Sequence, residues 1–131
     1  MLKSDRIRDY MATVLVTVTP DTEILRAARL LVDNDIGGAP VVDPGGRLAG
    51  LLTEKDLMRV VLNAGYYADY GGRVADYMTT SVETVGPDES LVAVAKRFLD
   101  KRYHRYPVVE NGRLIGQISR RDVLRALSDL W

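Results

Sequence analysis

The chain has no cysteine and only one histidine, His104, in 131 residues. Disulfides and thiolate metal sites are excluded, and a lone imidazole has no second ring to join it around a metal ion. No nucleophile, base and orienting group can be assembled from what remains, so no catalytic residue and no metal site is assigned, and the chain is expected to bind rather than convert. A glycine-rich phosphate loop of the Walker type is missing as well. No apolar run approaches the roughly 20 residues that span a bilayer, and Met1-Leu2-Lys3-Ser4-Asp5-Arg6 lacks the apolar stretch of a signal peptide. A soluble cytoplasmic protein is expected. Net charge is absent too: Lys+Arg and Asp+Glu are 18 each. That balance offers nucleic acid no general field and leaves only a local patch of Arg120, Arg121 and Arg125 for such a role.

What the chain does have is a repeat. Asp9-Tyr10-Met11-Ala12-Thr13 returns as Asp76-Tyr77-Met78-Thr79-Thr80, and Pro40-Val41-Val42-Asp43 returns as Pro107-Val108-Val109-Glu110. Two copies of one supersecondary unit decide the architecture before local propensity does. In each copy a short β-rich run (Val14 to Val18; Val82 to Val85) stops at Thr19-Pro20-Asp21 or Gly86-Pro87-Asp88. A helix follows, with Ile24, Ala27, Ala28 and Leu31, or Leu91, Val94, Ala95 and Phe98, at i, i+3, i+4, i+7. Two strands around a glycine-containing turn come next, Asn111-Gly112 being a strong hairpin signal. The last helix starts at Thr53 or Ser119, with stripes of Leu57, Met58, Val61, Leu62 and of Val123, Leu124, Leu127, Leu130. The pattern predicts an α+β fold of two β-α-β-β-α units packed with pseudo-twofold symmetry. Residues 1–65 form the first unit with its N-terminal segment, 66–73 a linker, and 74–131 the second. Tyr66, Tyr67 and Tyr70 beside Gly65, Gly71 and Gly72 either cover a lobe edge or offer a surface to another subunit.

This order of motifs, met twice, resembles a tandem pair of cystathionine-β-synthase (CBS) domains, a Bateman module of the stand-alone type. The resemblance covers nearly the whole chain. It implies a regulatory module whose clefts between the repeats take adenosine-containing ligands such as AMP, ADP, ATP or S-adenosylmethionine, and which signals to an effector protein. It also implies a disc-like homodimer. No cofactor is obligatory, and Mg²⁺ would arrive only with a nucleotide phosphate. A structural dimerisation module with degenerate clefts is the rival reading.

Thr53-Glu54-Lys55-Asp56 and Ser119-Arg120-Arg121-Asp122 sit where a strand becomes a helix. Helix capping accounts for the Thr or Ser and for an acid three residues on. Equally, such a terminus can take a phosphate, and a carboxylate beside it can accept both hydroxyls of a ribose. By resemblance, Asp56 and Asp122 anchor the ribose while Thr53 and Ser119 supply phosphate-side hydroxyls. His104-Arg105 is placed like the phosphate-contacting pair in the energy-sensing γ subunit of AMP-activated kinase, whereas the first repeat has Gly37-Gly38 there. The two sites are therefore expected to differ. As the resemblance maps them, one site combines Asp122, Ser119, Arg105, His104 and Arg121 with Thr13, Val14 and Ile36 as adenine walls, and is expected to favour a phosphorylated nucleotide. The other combines Asp56, Thr53, Lys55 and Gly38 with Thr80, Val82 and Tyr103, and is expected to hold a less charged ligand or none.

Overall fold

The i, i+3, i+4, i+7 spacing of each repeat becomes a ten-residue helix, α1 (Ile24–Asp33) and α4 (Leu91–Asp100), burying Ile24, Ala27 and Leu31 in one and Leu91, Val94 and Phe98 in the other. Both start on a side-chain cap: the Glu23 carboxylate accepts from the Leu25 and Arg26 amides, and the Ser90 hydroxyl from the Ala93 amide. This computed structural model describes every residue from Met1 to Trp131. After each helix an antiparallel hairpin forms, β1 (Gly38–Val42) with β2 (Leu48–Thr53) and β3 (Arg105–Glu110) with β4 (Arg113–Ser119). Asn111 and Gly112 both take positive φ, 53° and 79°, as a two-residue hairpin turn that matches the strand twist requires. Both hairpins shift register at the same point of the repeat, between Val41 and Val42 and between Val108 and Val109. The closing helices are α2 (Glu54–Tyr67) and α5 (Arg120–Arg125), the latter continuing as a 3-10 turn to Leu130. Short helical turns at Ile7–Asp9 and at α3 (Val74–Tyr77) complete the elements. No helix is long and apolar enough to cross a membrane.

Two expectations need correction, the first strands and the extent of the linker. The runs Val14–Val18 and Val82–Val85 are not strands: each is reduced to one parallel bridge, Val18 with Val41 and Val85 with Val108. Val18 N–H donates to the Pro40 carbonyl (3.1 Å) and Val42 N–H to the Val18 carbonyl (2.9 Å). The next rung would need an N–H from Pro40 or, in the other repeat, from Pro107, and proline has none. The apolar stripes of the last helices divide: Leu57 and Val123 pack against the cores, whereas Met58, Val61 and Leu62 are 55, 62 and 52% exposed and Leu124, Leu127 and Leu130 60, 45 and 54%. Asp56 turns inward to close a capping box and is buried with Val60 one turn later, so the inner face of α2 runs through Asp56, Leu57 and Val60. Lastly, α2 runs through Gly65 to Tyr67 and stops at Ala68 in the left-handed region (φ 52°), so the first two linker tyrosines are helical.

Packing cuts the chain elsewhere than the sequence repeat does. One compact unit is Val16–Val82, and the other joins Met1–Leu15 to Glu83–Trp131. The first has a core of Val18, Ile24, Leu31, Val41, Leu52 and Val74 among others. The second is built on Ile7, Val85, Leu91, Phe98, Tyr106 and Ile118. Tyr106 is wholly buried, its ring 4.8 Å from that of Phe98 and 4.5 Å from the Arg97 guanidinium. The N-terminal segment is tied into this second unit by paired backbone bonds between Ala12 and Gln117 (2.8 and 2.9 Å). Further ties run from Ile7 N–H to the Glu89 carbonyl and from Ser90 Oγ and the Val92 amide to the Asp5 carboxylate. In the Val16–Val82 unit, Thr79 makes the same paired bonds with Leu51 (2.9 and 2.8 Å). In both units, then, a segment ahead of one repeat's first bridge lies on the other repeat's hairpin.

Candidate functional site

Each hairpin delivers its last strand residue directly to a helix N-terminus. Thr53 pairs with Gly38 across the β1–β2 ladder, and Ser119 pairs with Arg105 across β3–β4. Both N-cap residues are extended (φ −114° and −108°) and both close a full capping box. Asp56 N–H donates to Thr53 Oγ1 (3.2 Å), while Thr53 N–H and Oγ1 both donate to Asp56 Oδ2 (2.9 Å each). Ser119 and Asp122 repeat these contacts with the same distances, 3.2, 2.9 and 2.9 Å. The first helical amides are also taken, Glu54 N–H by the Gly37 carbonyl (3.0 Å) and Arg120 N–H by the His104 carbonyl (3.1 Å). The capping account of these motifs is thus realised in full. A ligand must work with what capping leaves.

What it leaves is chiefly Oδ1 of each aspartate. Asp56 is 1% exposed and Asp122 6%. In both, Oδ1 is met by an arginine one turn later on the same helix, Arg59 at 3.3 Å from Asp56 and Arg125 in contact with Asp122. The two guanidinium side chains are 60 and 68% exposed, so each reaches a buried carboxylate from the solvent side. Arg59 and Arg125 occupy equivalent positions in the two repeats; sequence reasoning places Arg125 only in a basic patch and gives Arg59 no role. The signal was available, because an Asp-x-x-Arg spacing puts both side chains on one face of a helix. A diol replacing the arginine would exchange one charge-assisted bond for two hydroxyl donors, and the displaced guanidinium, already largely exposed, would return to solvent.

The structure sorts the expected site residues by unit. With Asp122 and Ser119 it places Arg105, His104, Arg121, Thr13 and Val14, all in the unit formed by Met1–Leu15 and Glu83–Trp131. Arg105 is half-buried, His104 exposed, and Val14 almost fully exposed at 96%. With Asp56 and Thr53 it places Lys55, Gly38, Thr80 and Val82 in the Val16–Val82 unit. At Gly38 an added Cβ would lie 3.1 Å from the Leu52 carbonyl oxygen, so a close backbone approach replaces the arginine of the other hairpin. Two residues fall in the opposite unit from the aspartate they were grouped with. Ile36 packs against the core of Val16–Val82 and borders a groove of about 450 Å³ with Leu31, Leu57 and Met58. Tyr103 sits against Tyr106, ring centres 5.6 Å apart. Among all residues no cluster of three or more His, Cys, Asp or Glu could hold a metal ion.

A family model described as the CBS domain matches the chain twice, over residues 7–63 and 74–129. Among curated proteins, an uncharacterized protein of Methanocaldococcus jannaschii, MJ1225, is 30% identical over 128 residues, covering 98% of this chain and 45% of its own length. A 17.7 kDa uncharacterized protein of Acidianus ambivalens is 29% identical, covering 95% of this chain and 74% of its own. The chain therefore spans less than half of the first of these relatives. Among solved structures, CBSX2 from Arabidopsis thaliana is 31% identical with a TM-score of 0.85, covering 98% of this chain and 97% of that one. A crystal structure of CBSX2 in complex with AMP has the same TM-score at 30% identity, covering 97 and 98% of the two chains.

Proposed function

Since the chain belongs to the CBS-domain family, as a tandem pair, we propose that it is a regulatory module that binds an adenosine nucleotide at the Ser119–Asp122 corner and signals its occupancy to a partner protein. The single observation that carries this reading is the likeness, over 97% of the chain, to a protein crystallised with AMP. Geometry adds a reason to prefer one corner of the two. Arg105 stands across the ladder from Ser119, where the other hairpin has Gly38 across from Thr53. Arginine offers a planar fork of donors suited to phosphate, and glycine offers none. Arg121 and Arg120 on the first turn of α5 add positive charge where the helix dipole already favours an anion. Asp122 then takes the ribose diol on the oxygen that Arg125 now holds.

Transmission follows from linkage: a ligand shifts an equilibrium of arrangements only by its differential affinity for them. Exposed aliphatic side chains on α2, α4 and α5, among them Met58, Val61, Leu99 and Leu124, support a homodimer that could carry such a shift. The same faces, with both carboxylates committed to capping, favour the second reading, a dimerisation module whose corners bind nothing. Calorimetric titration and thermal melting with AMP, ADP, ATP and S-adenosylmethionine separate the two. A nucleotide is expected to raise the melting temperature, and Asp122→Ala to remove most of the gain. Absence of a shift with every compound of that panel would leave the dimerisation module.

A further inference from the structure

The two repeats share almost every contact of the aspartate, and one position separates them. Thr79 and Ala12 are equivalent in the repeat and in the fold, each making the same two backbone bonds to its hairpin, with Leu51 and with Gln117. Thr79 Oγ1 reaches Asp56 Oδ1 at 3.1 Å and Oδ2 at 3.2 Å. Alanine at position 12 has no hydroxyl to give Asp122. A carboxylate has about four lone-pair positions. Asp56 meets four donors: the Thr53 amide, the Thr53 hydroxyl, the Thr79 hydroxyl and the Arg59 guanidinium. Three of these belong to its own turn of chain, and the fourth comes from a segment fixed to β2 by the Leu51 bonds. Asp122 meets the Ser119 amide and hydroxyl and the exposed, displaceable Arg125. The exposures run the same way, 1% for Asp56 and 6% for Asp122.

We infer that the residue at this position decides which aspartate can receive an external diol: Thr79 closes Asp56, and Ala12 leaves Asp122 open. Asp56 then serves as a structural tie between the 74–80 segment and the start of α2, and the chain has one working ribose site, not two. This rests on the adenosine reading above and sharpens it, because the asymmetry lies at the carboxylate itself as well as at Arg105.

Two experiments on the full chain test it, one of them independent of any nucleotide. Carboxylate footprinting with a carbodiimide and glycine ethyl ester, mapped by peptide, is expected to label Asp122 several-fold faster than Asp56. Thr79→Ala is expected to raise labelling of Asp56. Equal labelling in the unaltered chain, or no response to Thr79→Ala, overturns the inference whether or not a nucleotide binds. Calorimetric titration with AMP is expected to give one site per chain. Ala12→Thr, which puts a hydroxyl where Thr79 has one, is expected to weaken binding at least about tenfold, the scale of a hydrogen bond to a charged group. Thr79→Ala is expected to add a second, weaker binding event. Two equivalent sites in the unaltered chain, or an Ala12→Thr variant that binds as tightly as its parent, would overturn the inference while leaving the nucleotide reading intact. If no adenosine compound binds the unaltered chain, the nucleotide reading fails and the footprinting result decides the inference alone.

Discussion

Gly116→Ala is the most exacting test of how the N-terminal segment is held. A Cβ at Gly116 would lie 2.7 Å from Met11 Sδ and 2.8 Å from the Ala12 carbonyl oxygen. The thioether can swing aside, but the carbonyl cannot, because it accepts the Gln117 amide at 2.9 Å in the bridge that fixes the segment to β4. One methyl group must therefore push the backbones apart. Overpacking of this kind costs about 1–3 kcal/mol, and loss of the two bridge bonds adds about 1 kcal/mol each if the segment lifts. Strain and lift are alternatives to a degree, so about 2–4 kcal/mol is expected. For a chain of this length that is roughly 6–20 °C in melting temperature, at roughly 3–5 °C per kcal/mol. Gly65→Ala is the matched control: nothing lies within 4 Å of its Cβ, and it sits inside α2. It should gain about 0.5–1 kcal/mol from helix propensity alone. Calorimetric melting reads both, and hydrogen exchange at Ala12 and Gln117 reports whether the bridge opens. A Gly116→Ala variant that melts within a degree or two of its parent, with both amides still protected, would refute this account of the docking.

Acid should loosen the same segment by another route. The Ser90 hydroxyl and then the Val92 amide hold the Asp5 carboxyl below its ordinary range, Arg8 does so for Asp88, and the Lys3 amide and Tyr10 hydroxyl do so for Asp129. Groups depressed in the folded state contribute stability above their unfolded value and lose it as pH falls through the folded one, so residues 1–12 should gain protease sensitivity below about pH 4 and keep their protection at pH 6. The outward aliphatic faces give a further expectation: in the proposed homodimer, Leu124→Glu should shift the equilibrium to monomer in sedimentation velocity with little change in melting of the monomer, since Leu124 is 60% exposed. A chain that is monomeric before any substitution would remove the homodimer from the proposal.

Pattern carried most of the helices and both hairpins, because those depend on local spacing. Ile24, Ala27 and Leu31 could face a core only as a helix, and Asn111-Gly112 could close a hairpin only with positive φ. Thr53 and Ser119 were legible as caps for the same reason, their partners being three residues away. The expected first strands went wrong over a neighbour far along the chain, since the missing N–H belongs to Pro40 or Pro107. The stripes of α2 and α5 were legible as apolar but not as to what covers them: Leu57 and Val123 face the cores, and the other members face outward.

By itself, the order of residues determined that there are two equivalent units, that each ends a hairpin in a capped helix, and that an aspartate stands at the third position of that helix. The first rests on the repeat of motifs along the chain and the other two on separations of a few residues, which no tertiary arrangement can change. Tertiary structure decided that the segment before the first repeat packs with the second, which only the family resemblance had implied by grouping Thr13 and Val14 with Asp122, and it alone decided that Thr79 but not Ala12 brings a hydroxyl to its aspartate. Thr79 and Asp56 lie 23 residues apart, and only the fold of the chain between them makes them neighbours.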